Sequence, residues 1–103
     1  MARGPEGKIQ DAVLRYAKSR GLLYKKNEVG RFFVSSGWPD VVFYPAHGQA
    51  FFMEFKRPGG KLTPLQEHMH KTIHGNNYRV YVVFDAQEGR DIILDETRRD
   101  FET

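Results

Sequence analysis

The sequence predicts an α/β domain, a central mixed β-sheet flanked by helices, on three observations. Residues 8–20 and 63–75 carry helical signals: an apolar stripe in the first, a Thr-Pro start and a Gly end in the second. Val41–Tyr44 and Ala50–Lys56 are strand-forming runs joined through Pro45-Ala46-His47-Gly48, the pattern of a hairpin. Arg79–Phe84, read as a buried strand of almost unbroken Val, Tyr and Phe, follows the second helical segment, so the chain returns to the sheet by a helical crossover.

In the first helix Ile9, Ala12, Val13, Tyr16 and Ala17 share one face, and Gln10 falls on it too. Asp11 points away with Lys18, and Gly21 stops the helix. Leu22–Lys26 reads as a strand and Arg31–Val34 as a second short piece, set off by Gly30 and Ser35-Ser36-Gly37. Pro58-Gly59-Gly60-Lys61 is a turn. Thr63 then caps the second helix, with Pro64 at its first position and Gly75 at its end. Past Phe84, Ile92-Ile93-Leu94 predicts a short strand before a charged terminal helix. No repeat or linker interrupts the chain. The expected organisation is one domain over residues 1–103, with a core at 8–84 and an acidic C-terminal extension at 85–103.

Composition narrows the classes. The 103 residues are 40% hydrophobic with fourteen aromatics, enough for one modest core. The absence of cysteine excludes a disulfide framework, a thiolate zinc site and a cysteine nucleophile. No apolar run approaches membrane-spanning length and no signal-peptide core opens the chain, so a cytoplasmic setting without a membrane partner is expected. Charge is uneven: residues 1–84 carry a balance of +7 and residues 85–103 a balance of −4. A basic body suits a polyanion partner, because phosphate neutralisation supplies most non-specific nucleic-acid affinity.

The chemistry concentrates in Gly37-Trp38-Pro39-Asp40 and, fourteen residues after Asp40, Glu54-Phe55-Lys56. Side chains alternate along a strand, so Glu54 and Lys56 project together while Phe55 points away. Hairpin pairing brings Asp40 alongside Glu54. Two carboxylates and an ammonium on one sheet face oppose folding unless they do chemistry. They have the form of a divalent-metal site with an acid/base or electrostatic lysine beside it. Taken singly, Asp40 is also a turn residue or strand-end cap, and Glu54 and Lys56 an ion pair on a solvated face. Phe52, on that same face, argues for cover there.

Taken together, the first helix, Gly-Trp-Pro-Asp, the hairpin into Glu-Phe-Lys, the run Pro58-Gly59-Gly60-Lys61-Leu62-Thr63-Pro64-Leu65-Gln66 and the hydrophobic strand resemble the VRR-NUC domain. That domain belongs to the PD-(D/E)XK nuclease superfamily, with its restriction-endonuclease-like core. The resemblance covers residues 8–84, and the short chain looks like the stand-alone VRR-NUC proteins of phages and prophages acting in a bacterial host. It implies that Asp40, Glu54 and the backbone carbonyl of Phe55 bind Mg²⁺ or Mn²⁺. Lys56 would orient or deprotonate the attacking water, and Gln66 would help to build the site. The family's first-helix glutamate aligns with Gln10, whose amide oxygen would ligate metal weakly or hydrogen-bond a metal water. Asp11 lies about 100° further round the helix. Glu6, one turn before Gln10, can substitute if Pro5 begins the helix.

Other residues carry two readings. Thr63 and Gln66 have capping-box spacing, so Gln66 serves the helix start as readily as the site. His70 and His74 lie four apart without the glutamate of a zinc helix; a histidine-flanked surface is expected, with phosphate contact by His70 as the alternative. Trp38 reads as a packing residue or loop lid rather than a base-stacking platform. Lys25, Lys26, Arg31, Arg57 and Lys61 flank the site in sequence and are the candidate phosphate contacts. The function expected is a metal-dependent, structure-selective endodeoxyribonuclease acting on branched or duplex DNA. Stand-alone members of this type imply a homodimeric Holliday-junction resolvase. The alternative is a catalytically weak nuclease fold that binds branched DNA.

Overall fold

The computed structural model describes residues 4–27 and 37–101. The expected strand piece at Arg31–Val34, and with it the candidate phosphate contact Arg31, lies outside the described residues. Along the chain come α1 (Pro5–Ser19), β1 (Leu23–Lys26), β2 (Val41–Tyr44), β3 (Phe51–Phe55), α2 (Pro64–Gly75), β4 (Arg79–Val83) and α3 (Ala86–Glu96), then a 3₁₀ turn at Arg98–Phe101.

Helix α1 begins earlier than its apolar stripe indicates. Pro5 starts it, pre-set in φ and lacking an N–H that the first turn would leave unbonded anyway. Glu6 follows in the first turn, where the helix dipole favours a negative charge. The helix stops where expected, with Gly21 N–H donating to the Lys18 carbonyl at 3.0 Å and Leu22 N–H to Ala17 at 2.9 Å.

The strands form one sheet in the order β1-β2-β3-β4. The first three are antiparallel neighbours, and β4 runs parallel to β3 after the α2 crossover. Val41 pairs with Met53 and Phe43 with Phe51, which puts all four on one face. With Phe55 and Val83 they bury against Val13, Leu14 and Ala17 of α1 and Ile93 of α3. Each large side chain buried this way stabilises the fold by roughly 1.5–3 kcal/mol. Gly89 sets the approach of α3, since a Cβ there would run into the Val13 side chain. The other face carries Val42, Phe52, Glu54 and Val80. Helix α2 covers its β3–β4 half, burying Ile73 and His70.

Two expectations are corrected. Ile92-Ile93-Leu94 is helical, because Asp85 caps the segment by accepting the Glu88 N–H at 2.8 Å and the burial repeats with helical period. Ile93 is buried, Ile92 half-buried and Leu94 exposed, as successive 100° steps require. Strand β4 is a sheet edge with only Val80 and Val83 buried, rather than a fully buried strand. The acidic residues of the C-terminal segment are tied to the body. Glu96 accepts from Arg79 at 2.5 and 2.7 Å and from the Tyr81 hydroxyl at 2.7 Å. Asp100 accepts the N–H groups of Ala46 and His47 at 3.1 and 2.7 Å.

Candidate active site

Asp40 sits one step before the Val41–Met53 pair, so the antiparallel register sets it beside Glu54 on the α2 side of the sheet. Its Oδ2 accepts the backbone N–H of Phe55 at 2.7 Å, which holds the carboxylate against the end of β3. On the other side, the Asp40 carbonyl accepts the Asn27 N–H at 2.7 Å. The loop reaches this position through Gly37, at φ 82, where any Cβ would strike the Leu65 carbonyl at the start of α2. The glycine of Gly-Trp-Pro-Asp is therefore required by close backbone approach as well as by a left-handed conformation.

Glu54 is 2% exposed. Burial, the charge of Asp40 and a side-chain hydrogen bond with Asp40 push its carboxyl up to about 9, against an opposing pull from Lys56. Glu6 adds to the push. Starting α1 at Pro5 thus delivers the first-turn acidic residue to the acidic pair. Glu6 also shares a recess of about 440 Å³ with Lys56, Arg57 and Lys61.

His70 contradicts the surface reading given to it above. It is 7% exposed, and its Nε2 lies 3.4 Å from Glu54 Oε1, at the long limit of a hydrogen bond. Burial, then the neighbouring charges of His74 and Lys56, hold the imidazole below its usual pKa, with Asp40 opposing. A neutral ring is therefore the form that faces Glu54. The signal was present in the sequence: Gln66, His70 and Ile73 lie four and three apart, one helical face that begins at the motif glutamine.

Gln66 lies in a complete capping box. Its Oε1 accepts the Thr63 N–H at 2.9 Å, and its own N–H donates to Thr63 Oγ1 at 3.2 Å. Its carbonyl oxygen is thereby committed to the helix start, although the face it begins leads on to His70. Gln10 is half-buried on α1, one turn beyond Glu6, and among the described residues it makes no hydrogen bond to Asp40 or Glu54. The candidate phosphate contacts divide between two flanks. Arg57 and Lys61 line the recess beside Lys56, while Lys25 and Lys26 line a larger groove of about 860 Å³ that begins at Pro39.

The donor set suits a hard divalent cation. Among the described residues no three His, Asp or Glu side chains form a ready cage. Mg²⁺ is usually held by one or two carboxylates, with water and phosphate oxygens completing the shell. A carboxyl raised to about 9 beside a second carboxylate is a place short of positive charge, which a dication would relieve.

No family model matches the sequence, and no curated protein does. Among solved structures, one described as a VRR_NUC domain is similar to this chain with a TM-score of 0.74 and 24% identity. The alignment covers 88% of this chain and 96% of that one. The protein therefore shares the α/β fold of that VRR_NUC domain, a mixed four-stranded sheet with three α-helices among the described residues.

Proposed function

We propose that this protein is a metal-dependent endodeoxyribonuclease of the PD-(D/E)XK type, selective for DNA structure rather than sequence. The observation that carries the reading is the pairing of buried Glu54 with half-buried Asp40, beside Lys56, where β2 begins and β3 ends. Protein interiors do not hold two interacting carboxyls without a compensating partner or a task. The VRR_NUC-like fold supports it.

Asp40, Glu54 and the Phe55 carbonyl would hold Mg²⁺ or Mn²⁺, with Gln10 or, by its proximity, Glu6 contributing through water. When bound, such a cation supplies positive charge at the scissile phosphate and acidifies a water towards neutral pH. Lys56 would orient the attacking water and, as the ammonium, offset charge on the phosphate, while the water's proton passes to solvent. The water oxygen bonds to phosphorus as the bond to the leaving sugar oxygen breaks, and a solvent proton satisfies that oxygen. Arg57 and Lys61, beside Lys56, neutralise neighbouring phosphates. His70 steadies the Glu54 carboxyl from behind.

The specific activity we infer is Holliday-junction cleavage by a two-fold homodimer, whose paired sites would cut opposing strands. By the sequence resemblance, the setting we propose is that of the phage-type VRR-NUC proteins, the cytoplasm of a bacterial host. Labelled four-way junction, flap and linear duplex, incubated with Mg²⁺, Mn²⁺ or EDTA, test this. Paired metal-dependent nicks at the junction are expected, with Lys56→Ala reducing the rate at least about a hundredfold. Equal cutting of all three substrates would remove the junction assignment. Gln10 favours a second reading, a weak nuclease that chiefly binds branched DNA. A large rate gain in Gln10→Glu would favour it by showing the natural site to be handicapped.

A further inference from the structure

We infer that the groove beside the catalytic pair binds an unpaired nucleic-acid strand, so that the substrate carries single-stranded nucleotides next to the scissile phosphate. The inference rests on the nuclease reading for what lies at the cleft, but it concerns binding in the groove alone.

Helix α2 covers only the β3–β4 half of its sheet face. Among the described residues, the β1–β2 half lies open as the groove of about 860 Å³. Its walls are aromatic: Trp38 is 46% exposed and Tyr44 44% exposed, and Phe52 lies between them and Tyr78. The Trp38 and Phe52 rings are 6.1 Å apart, as are those of Phe52 and Tyr78, a row of rings crossing the face. Trp38, read from sequence as a packing residue or loop lid, meets Phe52 and leaves much of its ring exposed. Lys25 and Lys26 form the outer rim.

The groove adjoins the acidic pair, its lining ending at Pro39 next to Asp40. The register sets Lys25, Val42 and Phe52 side by side, and Asp40 with Glu54 one two-residue step along, about 7 Å away. Trp38 and Pro39 run directly into Asp40. Exposed rings beside lysines are the equipment for single strands: bases stack on aromatic faces while cations track the phosphates. A paired duplex would leave those rings idle, because its bases are already stacked and it offers phosphates outward. A strand leaving the cleft in this direction must be unpaired to use them.

Trp38 is the sole tryptophan, so its fluorescence reports occupancy of the groove. Titration in EDTA with a short oligothymidylate, against a blunt duplex of equal length, separates binding from cleavage. Saturable quenching by the oligothymidylate is expected, with weaker binding and little quenching by the duplex. Tyr44→Ala should lower single-strand affinity about tenfold and shrink the difference between the probes, while Tyr44→Phe restores it. If Tyr44→Ala does not fold, Lys25→Glu takes its place and should weaken the same probe. Equal quenching and affinity for both probes, or no loss in these variants, would overturn the inference. Quenching that survives while metal-dependent cleavage is absent would sink the nuclease reading and support this one. Junction cleavage without any Trp38 response would do the reverse.

Discussion

At the level of single residues, Glu54 makes the protein's stability depend on pH in an unusual direction. Unfolded, its carboxyl titrates near 4.5; folded and metal-free, near 9. Between those values the folded state holds a proton that the unfolded chain lacks. The Glu54 contribution is therefore full below pH 4.5 and is lost as pH rises towards 9. We expect Glu54→Gln to raise the Tm of metal-free protein at alkaline pH and flatten its pH dependence while abolishing cleavage. Thermal melts with EDTA across the range check this. Mn²⁺ should raise Tm more at pH 8 than at pH 5, because protonated Glu54 competes with the cation. His70 acts through Glu54: removing it leaves a buried carboxyl without its neighbour. His70→Ala should raise the Mn²⁺ concentration needed for cleavage by about tenfold or more, read from a metal titration of the rate.

At the level of elements, the helix starts do more than begin helices. The Thr63–Gln66 box closes the start of α2 against which Gly37 packs, so the cap also supports the loop carrying Asp40. Thr63→Ala should cost about 1 kcal/mol. In a domain of this size that is a Tm loss of about 4–8 °C, measurable by calorimetry. Gly37→Ala should cost more activity than stability, because the clash is with backbone that cannot move aside and displacement of Asp40 disrupts the pair. The start of α1 was legible only in part. The apolar stripe points to residue 8, but Pro5 and Glu6 carry the N-terminal signals that extend the helix and bring Glu6 to the site. The misreading of 92–94 has a plain cause: three successive apolar residues fit a buried strand and a helix equally well. Asp85, three residues before Glu88, was the cue that separates the two.

At the level of the whole molecule, the sheet separates the acidic α3 helix from the candidate site. Helices α1 and α3 cover one face, and Asp91, Asp95 and Glu96 belong to that side. The acidic pair, Lys25 and the aromatic groove belong to the other. The acidic C-terminal helix therefore lies on the side of the sheet away from the candidate site. Binding should show a steep loss with salt, and each of Lys25→Ala and Lys26→Ala should reduce the slope of log affinity against log salt by about 0.7–0.9. A double substitution that left the slope unchanged would place the phosphates elsewhere.

The local code in this chain was sufficient for much of the architecture. The hairpin, the capped second helix, the crossover into a parallel strand and the pairing of Asp40 with Glu54 all follow from periodicity, turn residues and alternation, which are short-range properties of the backbone. The acidic pair and Lys56 were legible for the same reason, since one strand and one register place them. Tertiary packing decided three things of which the sequence carried at most a hint. It buried His70 against Glu54, because the rotation of α2 about its axis depends on which sheet residues it meets. It brought Glu6 towards the acidic pair across more than forty residues of sequence. It left Trp38 and Tyr44 open, because the length and placement of α2 determine how much of the sheet face is covered, and no local pattern encodes where a helix stops covering its neighbour.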